Sequence, residues 1–349
     1  MFGCRNIKCE RNMLQFRHSK KIRTGLEYNG ICETNVVIQS LSSLYKFQKY
    51  NQGRIKVNMR QRRRDCIWGY IFIAPQVLGL LLFSVIPIIS VFYYSFCKWN
   101  AISDPVFIGI QNYITEFHDP VFYKSILNTL KYSLIYIPGN IVFALLIAVA
   151  IQGIKGKVGY RLIFFLPIVA SSVGVSMIWL WILEPNCGIL NYFLDCIKLG
   201  RVNLLSDTRT VMITIGLIGL WCNLGYNIVI YIAGLEGVPR VYYEAAMVDG
   251  ANAWTRFIRI TLPMMSPTIF FTFIMTTIAS FKVFDLAYVM TEGGPAKASY
   301  VFVMHIYDYG FKLFKMGQSC TAAVIFFIVL LVITVFQNII SKRWVNYES

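Results

Sequence analysis

The feature that most constrains this chain is the recurrence of apolar runs too long to be soluble cores. Six stretches, at about 67–96, 130–151, 162–183, 211–235, 264–290 and 321–340, are each long enough to cross a bilayer, since about 20 residues at 1.5 Å each traverse roughly 30 Å of hydrocarbon. Only 14% of the 349 residues are charged and 56% are hydrophobic, with a mean hydropathy of +0.57, so there is too little polar surface to dress a water-soluble globule. The sequence therefore predicts an all-α, polytopic membrane protein with six transmembrane helices. Pro75, Pro87, Pro138 and Pro167 fall inside these runs, which predicts kinked helices whose freed carbonyls are satisfied by packed neighbours.

The formal net charge of +16 invites a nucleic-acid partner, but the basic residues crowd at the N-terminus and in short loops beside apolar runs. They read as topology determinants, and no nucleic acid is expected. Arg60, Arg62, Arg63 and Arg64 precede the first run, which places the N-terminus in the cytoplasm. Six crossings then put Lys155, Lys157 and Arg161, the stretch 242–263, and Lys342 and Arg343 at the C-terminus on the same side, leaving 97–129, 184–210 and 291–318 outside. The first run is too long for a cleavable signal and is expected to stay as an anchor. Residues 1–58 are basic and polar with three cysteines; they read as a disordered extension or an over-long start upstream of Met59, with 59–349 as the transmembrane domain.

Nine cysteines are scattered without any C-x-x-C pair, and Cys97, Cys187, Cys196, Cys222 and Cys320 read as small buried apolar groups. His18, His118 and His305 are far apart, with no neighbouring ligands at metal spacing, so neither a metal nor a nucleophile–histidine site is expected.

Between the fourth and fifth runs lies YYEAAMVDGANAWTRFIRITLP, Tyr242 to Pro263. Pro239 suits the first turn of a short helix starting near Arg240, with Val241, Ala245 and Val248 as an apolar stripe. Gly250 is placed to close that helix in the left-handed conformation, and Asp249 or Asn252 to cap the next. The second piece sets Trp254, Phe257, Ile258 and Thr261 on one side and Arg256 and Arg259 toward the other. Periodicity alone leaves two readings open, an interfacial helix pair resting on lipid headgroups or a rigid lever joining two spans.

The stretch resembles the EAA loop of ATP-binding-cassette importer permeases, whose pattern is Glu-Ala-Ala, three residues, Gly, nine residues, Ile, one residue, Leu-Pro. Glu244, Ala245, Ala246, Gly250, Ile260, Leu262 and Pro263 stand at those spacings, with Asp249 beside the glycine. IAPQVLGLLLF, SFCKW, NTLKYS and FDLAYVMTEGGPAKAS elsewhere in the chain resemble the sugar-importer permeases in particular. The resemblance implies a cytoplasmic coupling helix docking on an ATPase subunit. It further implies two ATP-binding-cassette subunits, a second permease of similar fold, an extracytoplasmic solute-binding protein and a sugar-like substrate. The location implied is a bacterial or archaeal cytoplasmic membrane, with both termini cytoplasmic. The chain has no G-x-x-x-x-G-K-[ST] sequence, and GIKGKVG and TEGGPAK fail that spacing, so no cofactor is expected in this chain and ATP belongs to the partner.

Polar residues at membrane depth are the default candidates for a substrate path. The fourth run offers Asn223, Tyr226, Asn227 and Tyr231, amides and rings suited to a sugar, although such groups also serve to bond neighbouring helices. Lys282 and Asp285 read as an ion pair at the outer interface. A secondary transporter of a small polar solute is the alternative function, but the paired glycine-interrupted half-helices of such a protein are not found. A membrane hydrolase lacks a histidine at membrane depth.

Overall fold

The computed structural model describes residues 59–154, 156–342 and 345. The expected extension 1–58, and Lys155 and Arg343 of the topology argument, lie outside the described residues. The chain divides into two compact units, Met1–Leu80 and Leu81–Ser349. In the first, α1 (Met59–Leu80) runs through Pro75 without interruption, and Tyr70, Phe72 and Ile73 are exposed along it, as befits a helix solvated by lipid.

The second unit opens with a wide turn, Leu81–Val85, and α2 (Ile86–Ser95). A short antiparallel ribbon follows, β1 (Cys97–Lys98) with β2 (Val106–Phe107), Cys97 opposite Phe107. The helices are then α3 (Gln111–Phe117), α4 (Pro120–Gln152), α5 (Lys157–Val169), α6 (Ser172–Ile182), α7 (Ile189–Cys196) and α8 (Val211–Gly237). After these come α9 (Arg240–Val248), α10 (Ala253–Arg256), α11 (Leu262–Met264), α12 (Ser266–Phe281), α13 (Asp285–Thr291), α14 (Phe302–Tyr307) and α15 (Met316–Ser341).

Five stretches, Cys66–Ser95, Pro120–Gln152, Val211–Gly237, Ser266–Thr291 and Met316–Ser341, are long and apolar enough to cross a membrane. The expected third span is instead two helices, Gly159–Val169 and Ser172–Ile182, bent by 94°. The count of six holds only if that bent pair is one crossing. Ala170 and Ser171 leave the helix with ψ of 145° and 130°, just beyond Pro167, whose missing N–H weakens the last turn of α5. The far half packs along α13, where Ser172 Oγ donates to Asp285 Oδ2 at 2.9 Å. Asp285 is therefore engaged by a hydroxyl, not by Lys282 as expected, because the break brings α6 to its carboxylate.

The second span begins at Pro120 rather than 130. Asp119 caps α4 by accepting the Val121 N–H at 2.8 Å, and the added turns mix Lys124, Ser125, Asn128 and Thr129 among apolar residues because they meet a loop rather than lipid. There Asn128 Nδ2 donates to the carbonyls of Lys297 and Tyr300 at 2.9 and 3.0 Å, and Thr129 Oγ1 accepts the Phe302 N–H at 2.9 Å.

The core sits where α8 packs along α4 and α5, with α12 closing on α4. Tyr132, Ala144 and Ala148 of α4 meet Ile215, Ile228 and Ile232 of α8 there. Between lipid-solvated helices there is little hydrophobic gain in association, so close backbone approach matters more. Gly225 supplies it: a Cβ at that position would lie 2.0 Å from the carbonyl oxygen of Phe164 in α5.

Candidate functional site

Two features of the second unit hold the residues that sequence singled out. The first is the excursion from α8 to α12. Helix α9 ends in a Schellman turn: the Ala251 N–H reaches the Ala246 carbonyl at 2.8 Å, the Gly250 N–H reaches Met247 at 3.1 Å, and Gly250 takes φ of +78°. Of the two candidate caps, Asn252 is the one used, its Oδ1 accepting the Thr255 N–H at 2.7 Å. A wide turn at Phe257–Thr261 then leads through α11 into α12.

The residues of the pattern divide into a tip and a root. Glu244, Ala245, Asp249 and Gly250 are exposed, whereas Ile260 and Pro263 are half-buried, Ile260 against the core, and Leu262 is partly exposed. Ala246 is half-buried. The apolar stripe of α9 faces away from the chain: Val241, Ala245 and Val248 are exposed, Val248 at 88%, and α9 rests on the chain through Tyr243. The second expected stripe is also split. Trp254 is 66% exposed while Thr261 is buried, because the wide turn adds residues to the helical repeat and rotates the face.

The second feature is a cleft of about 250 Å³ lined by Tyr136, Asn223, Tyr226, Asn227, Met275, Thr276 and Ala279, from α4, α8 and α12. Asn223 and Tyr226 face it with spare capacity: Asn223 Nδ2 donates only to the Gly219 carbonyl one turn back, at 3.1 Å, and Tyr226 is 47% exposed. Asn227 is committed to structure, donating to Asn140 Oδ1 at 2.7 Å and Thr276 Oγ1 at 2.9 Å and so tying three helices together. Tyr231 lies outside the cleft, fully buried with its hydroxyl 2.6 Å from Thr272 Oγ1. Asn227 and Tyr231 thus bond neighbouring helices, while Asn223 and Tyr226 line the cleft with polar capacity left over.

Tyr136, Met275, Thr276 and Ala279 were not singled out by sequence. Tyr136 carries the one usable signal, a second ring four residues after Tyr132, with which it stacks at 5.3 Å.

The histidines need a correction. His305 is not isolated from carboxylates: its Nε2 is 2.5 Å from Glu116 Oε1, and the two side chains are 0% and 1% exposed. The pair is joined from α3 to α14, 189 residues apart in sequence, which is why spacing could not show it. Beside it Tyr309 donates to Asp119; burial and that carboxylate push the Tyr309 phenol well above its ordinary range, so it stays a donor. Among the described residues no group of three histidine, cysteine or acidic side chains is placed to hold a metal.

A family model described as the binding-protein-dependent transport system inner membrane component matches residues 140–346. The probable ABC transporter permease protein YesP of Bacillus subtilis is 35% identical over 296 residues, 83% of this chain and 95% of its own. The probable starch degradation products transport system permease protein AmyD of Thermoanaerobacterium thermosulfurigenes is 32% identical, over 80% of this chain and 96% of its own. A chain of the bacterial alginate ABC transporter, solved in complex with an alginate pentasaccharide-bound periplasmic protein, superimposes with a TM-score of 0.71 at 25% identity, covering 82% of this chain and 97% of that one.

Proposed function

The chain belongs to the family of binding-protein-dependent transport system inner membrane components, and from that premise we propose how its two sites cooperate to carry a sugar inward. It is a multi-pass permease subunit of an ATP-driven importer, a transport protein rather than an enzyme. The Arg240–Pro263 excursion is its coupling segment. Glu244, Ala245, Ala246, Asp249 and Gly250 form the face that meets an ATPase subunit, and Ile260, Leu262 and Pro263 root it in the membrane helices. The partners are two ATPase chains, a second permease and an extracytoplasmic binding protein. The coupling segment and both termini are cytoplasmic, and 59–349 is the transmembrane domain.

The sugar passes the cleft at Asn223 and Tyr226, with Asn227 and Tyr231 holding its walls. The cleft lining offers hydroxyl, amide and thioether groups without any carboxylate or amine, which suits an uncharged polyol.

The observation that carries this reading is continuity. Helices α8 and α12 line the cleft and run directly into the two arms of the coupling segment, whose apolar tip no part of the described chain covers. An exposed apolar face of this kind fits a partner protein. The test is co-purification, in mild detergent, of the tagged chain with its ATPase, for wild type and Gly250→Pro at matched membrane levels. Retention by wild type and loss in the variant is the expected result. Retention by neither, or equal retention by both, overturns the coupling role.

A further inference from the structure

The loops at the far end of the helices from Arg240–Pro263 contain a built groove that the transport reading does not use. Its floor is rigid. Asn112 Nδ2 donates to the carbonyls of Ser95 and Cys97 at 3.0 and 2.9 Å, and Thr321 Oγ1 donates to that of Ser95 at 2.9 Å. The Gly317 N–H reaches the Trp99 carbonyl at 3.1 Å. The tip between β1 and β2 is held by Asn100 Oδ1, which accepts from the N–H groups of Ile102 and Ser103 and from Ser103 Oγ, at 3.1, 2.8 and 2.7 Å. Trp99 stacks one face on Tyr94 at 4.2 Å, 24° from parallel, and remains half-exposed.

Between this ribbon, α3 and the start of α15 lies a cavity of about 580 Å³, within the roughly 300–1,000 Å³ range of small-molecule sites. Trp99 lines it together with Lys98, Asn100, Gln111, Lys315 and Gln318. Gln318 Oε1 is closed off from solvent and has no hydrogen-bond donor among the described residues, so nothing holds this amide in place and a turn of the side chain would present it to a ligand hydroxyl. An indole plate ringed by amides, two amines and the carboxylate of Asp104 matches a pyranose: the ring stacks on its apolar C–H face while amide and carboxylate groups pair with its hydroxyls.

We propose that this groove is an outer carbohydrate subsite, separate from the membrane cleft, which holds the end of an oligosaccharide before it enters the transport path. The proposal rests on the sugar-importer reading.

The test uses the assembled transporter in lipid nanodiscs without binding protein, probed by saturation-transfer NMR with a neutral glycan, maltopentaose, and an acidic one, an alginate pentasaccharide. Wild type is expected to transfer saturation to the ring protons of at least one probe, and which one responds distinguishes neutral from acidic glycans. Trp99→Ala and Gln318→Leu should each weaken that binding by roughly fivefold, about what one such ring or hydrogen-bond contact supplies. Trp99→Phe, which keeps a stacking ring, should retain most of it. Loss in Tyr226→Ala with retention in Trp99→Ala overturns the groove while leaving the importer reading intact. No response from wild type to either probe also overturns it. If Trp99→Ala and Gln318→Leu keep probe binding but no longer form a complex with the binding protein, the groove is a protein dock and the proposal fails. Loss of ATPase co-purification, measured separately, would instead strike the importer reading.

Discussion

The hydroxyl of Tyr243 in α9 stands 2.9 Å from Thr261 Oγ1 at the root of α12, closing the coupling segment into a braced triangle. A loop joined only by its ends would bend under load. On the proposed coupling role, this strut is what would carry motion at the exposed tip to both α8 and α12. Tyr243→Phe removes one hydrogen bond, about 1 kcal/mol, without changing the ring that packs on the core. Substrate-stimulated ATP turnover in proteoliposomes is expected to fall by about threefold at unchanged membrane insertion. Wild-type stimulation would show that the strut carries no force.

Gly250 offers a graded test of the same joint. Its φ of +78° is the left-handed conformation, and no neighbouring atom lies within 4 Å of an added Cβ, so backbone strain is the main cost of substitution. Gly250→Asn, which tolerates that region, should keep ATPase binding near wild type, while Gly250→Val should strain the turn by about 1–2 kcal/mol and weaken it. Pull-down with the purified ATPase reads the order; equal binding by both variants would rule out backbone conformation as the determinant.

The polar residues of α8 should separate by phenotype. Asn227→Ala strips partners from Asn140 and Thr276, and the thermal midpoint of the detergent-purified protein should drop by the equivalent of about 1–2 kcal/mol. Asn223→Ala and Tyr226→Ala should leave that midpoint in place and raise the half-saturating sugar concentration for uptake about fivefold, the loss of about 1 kcal/mol of contact. A stability loss in Tyr226→Ala with unchanged uptake affinity would remove it from the path.

Glu116 and His305 form a buried pair, and buried pairs are costly to break by halves. His305→Leu leaves a carboxylate in the interior and should destabilise the protein by about 3–5 kcal/mol, whereas the double variant Glu116→Leu with His305→Leu should recover most of that loss. Thermal unfolding of the four proteins gives the coupling directly. If the two single losses simply add in the double variant, the contact is not a pair.

Much of this was legible in the chain. Length and apolarity located the spans to within a few residues for 211–235 and 321–340, because a helix in lipid must be continuous and greasy. The turn at Gly250 was legible, and the cap was narrowed to Asp249 or Asn252, because both depend on a few neighbouring residues. The extent of α4 was not, since its first turns meet a loop rather than lipid and Lys124, Ser125, Asn128 and Thr129 interrupt the apolar run there.

What the sequence by itself determined is local: helical membrane architecture, the caps and turns of the coupling segment, and an amide-and-tyrosine face on α8. Each depends on residues within a turn or two, where spacing is geometry. Only the tertiary structure decided which of those polar groups are already used. Asn227 met Asn140 and Thr276, Tyr231 met Thr272, Asp285 met Ser172 and His305 met Glu116 through contacts 41 to 189 residues apart in sequence. A buried polar group seeks whichever partner the fold brings within about 3 Å, and no periodicity along one helix records what stands opposite it.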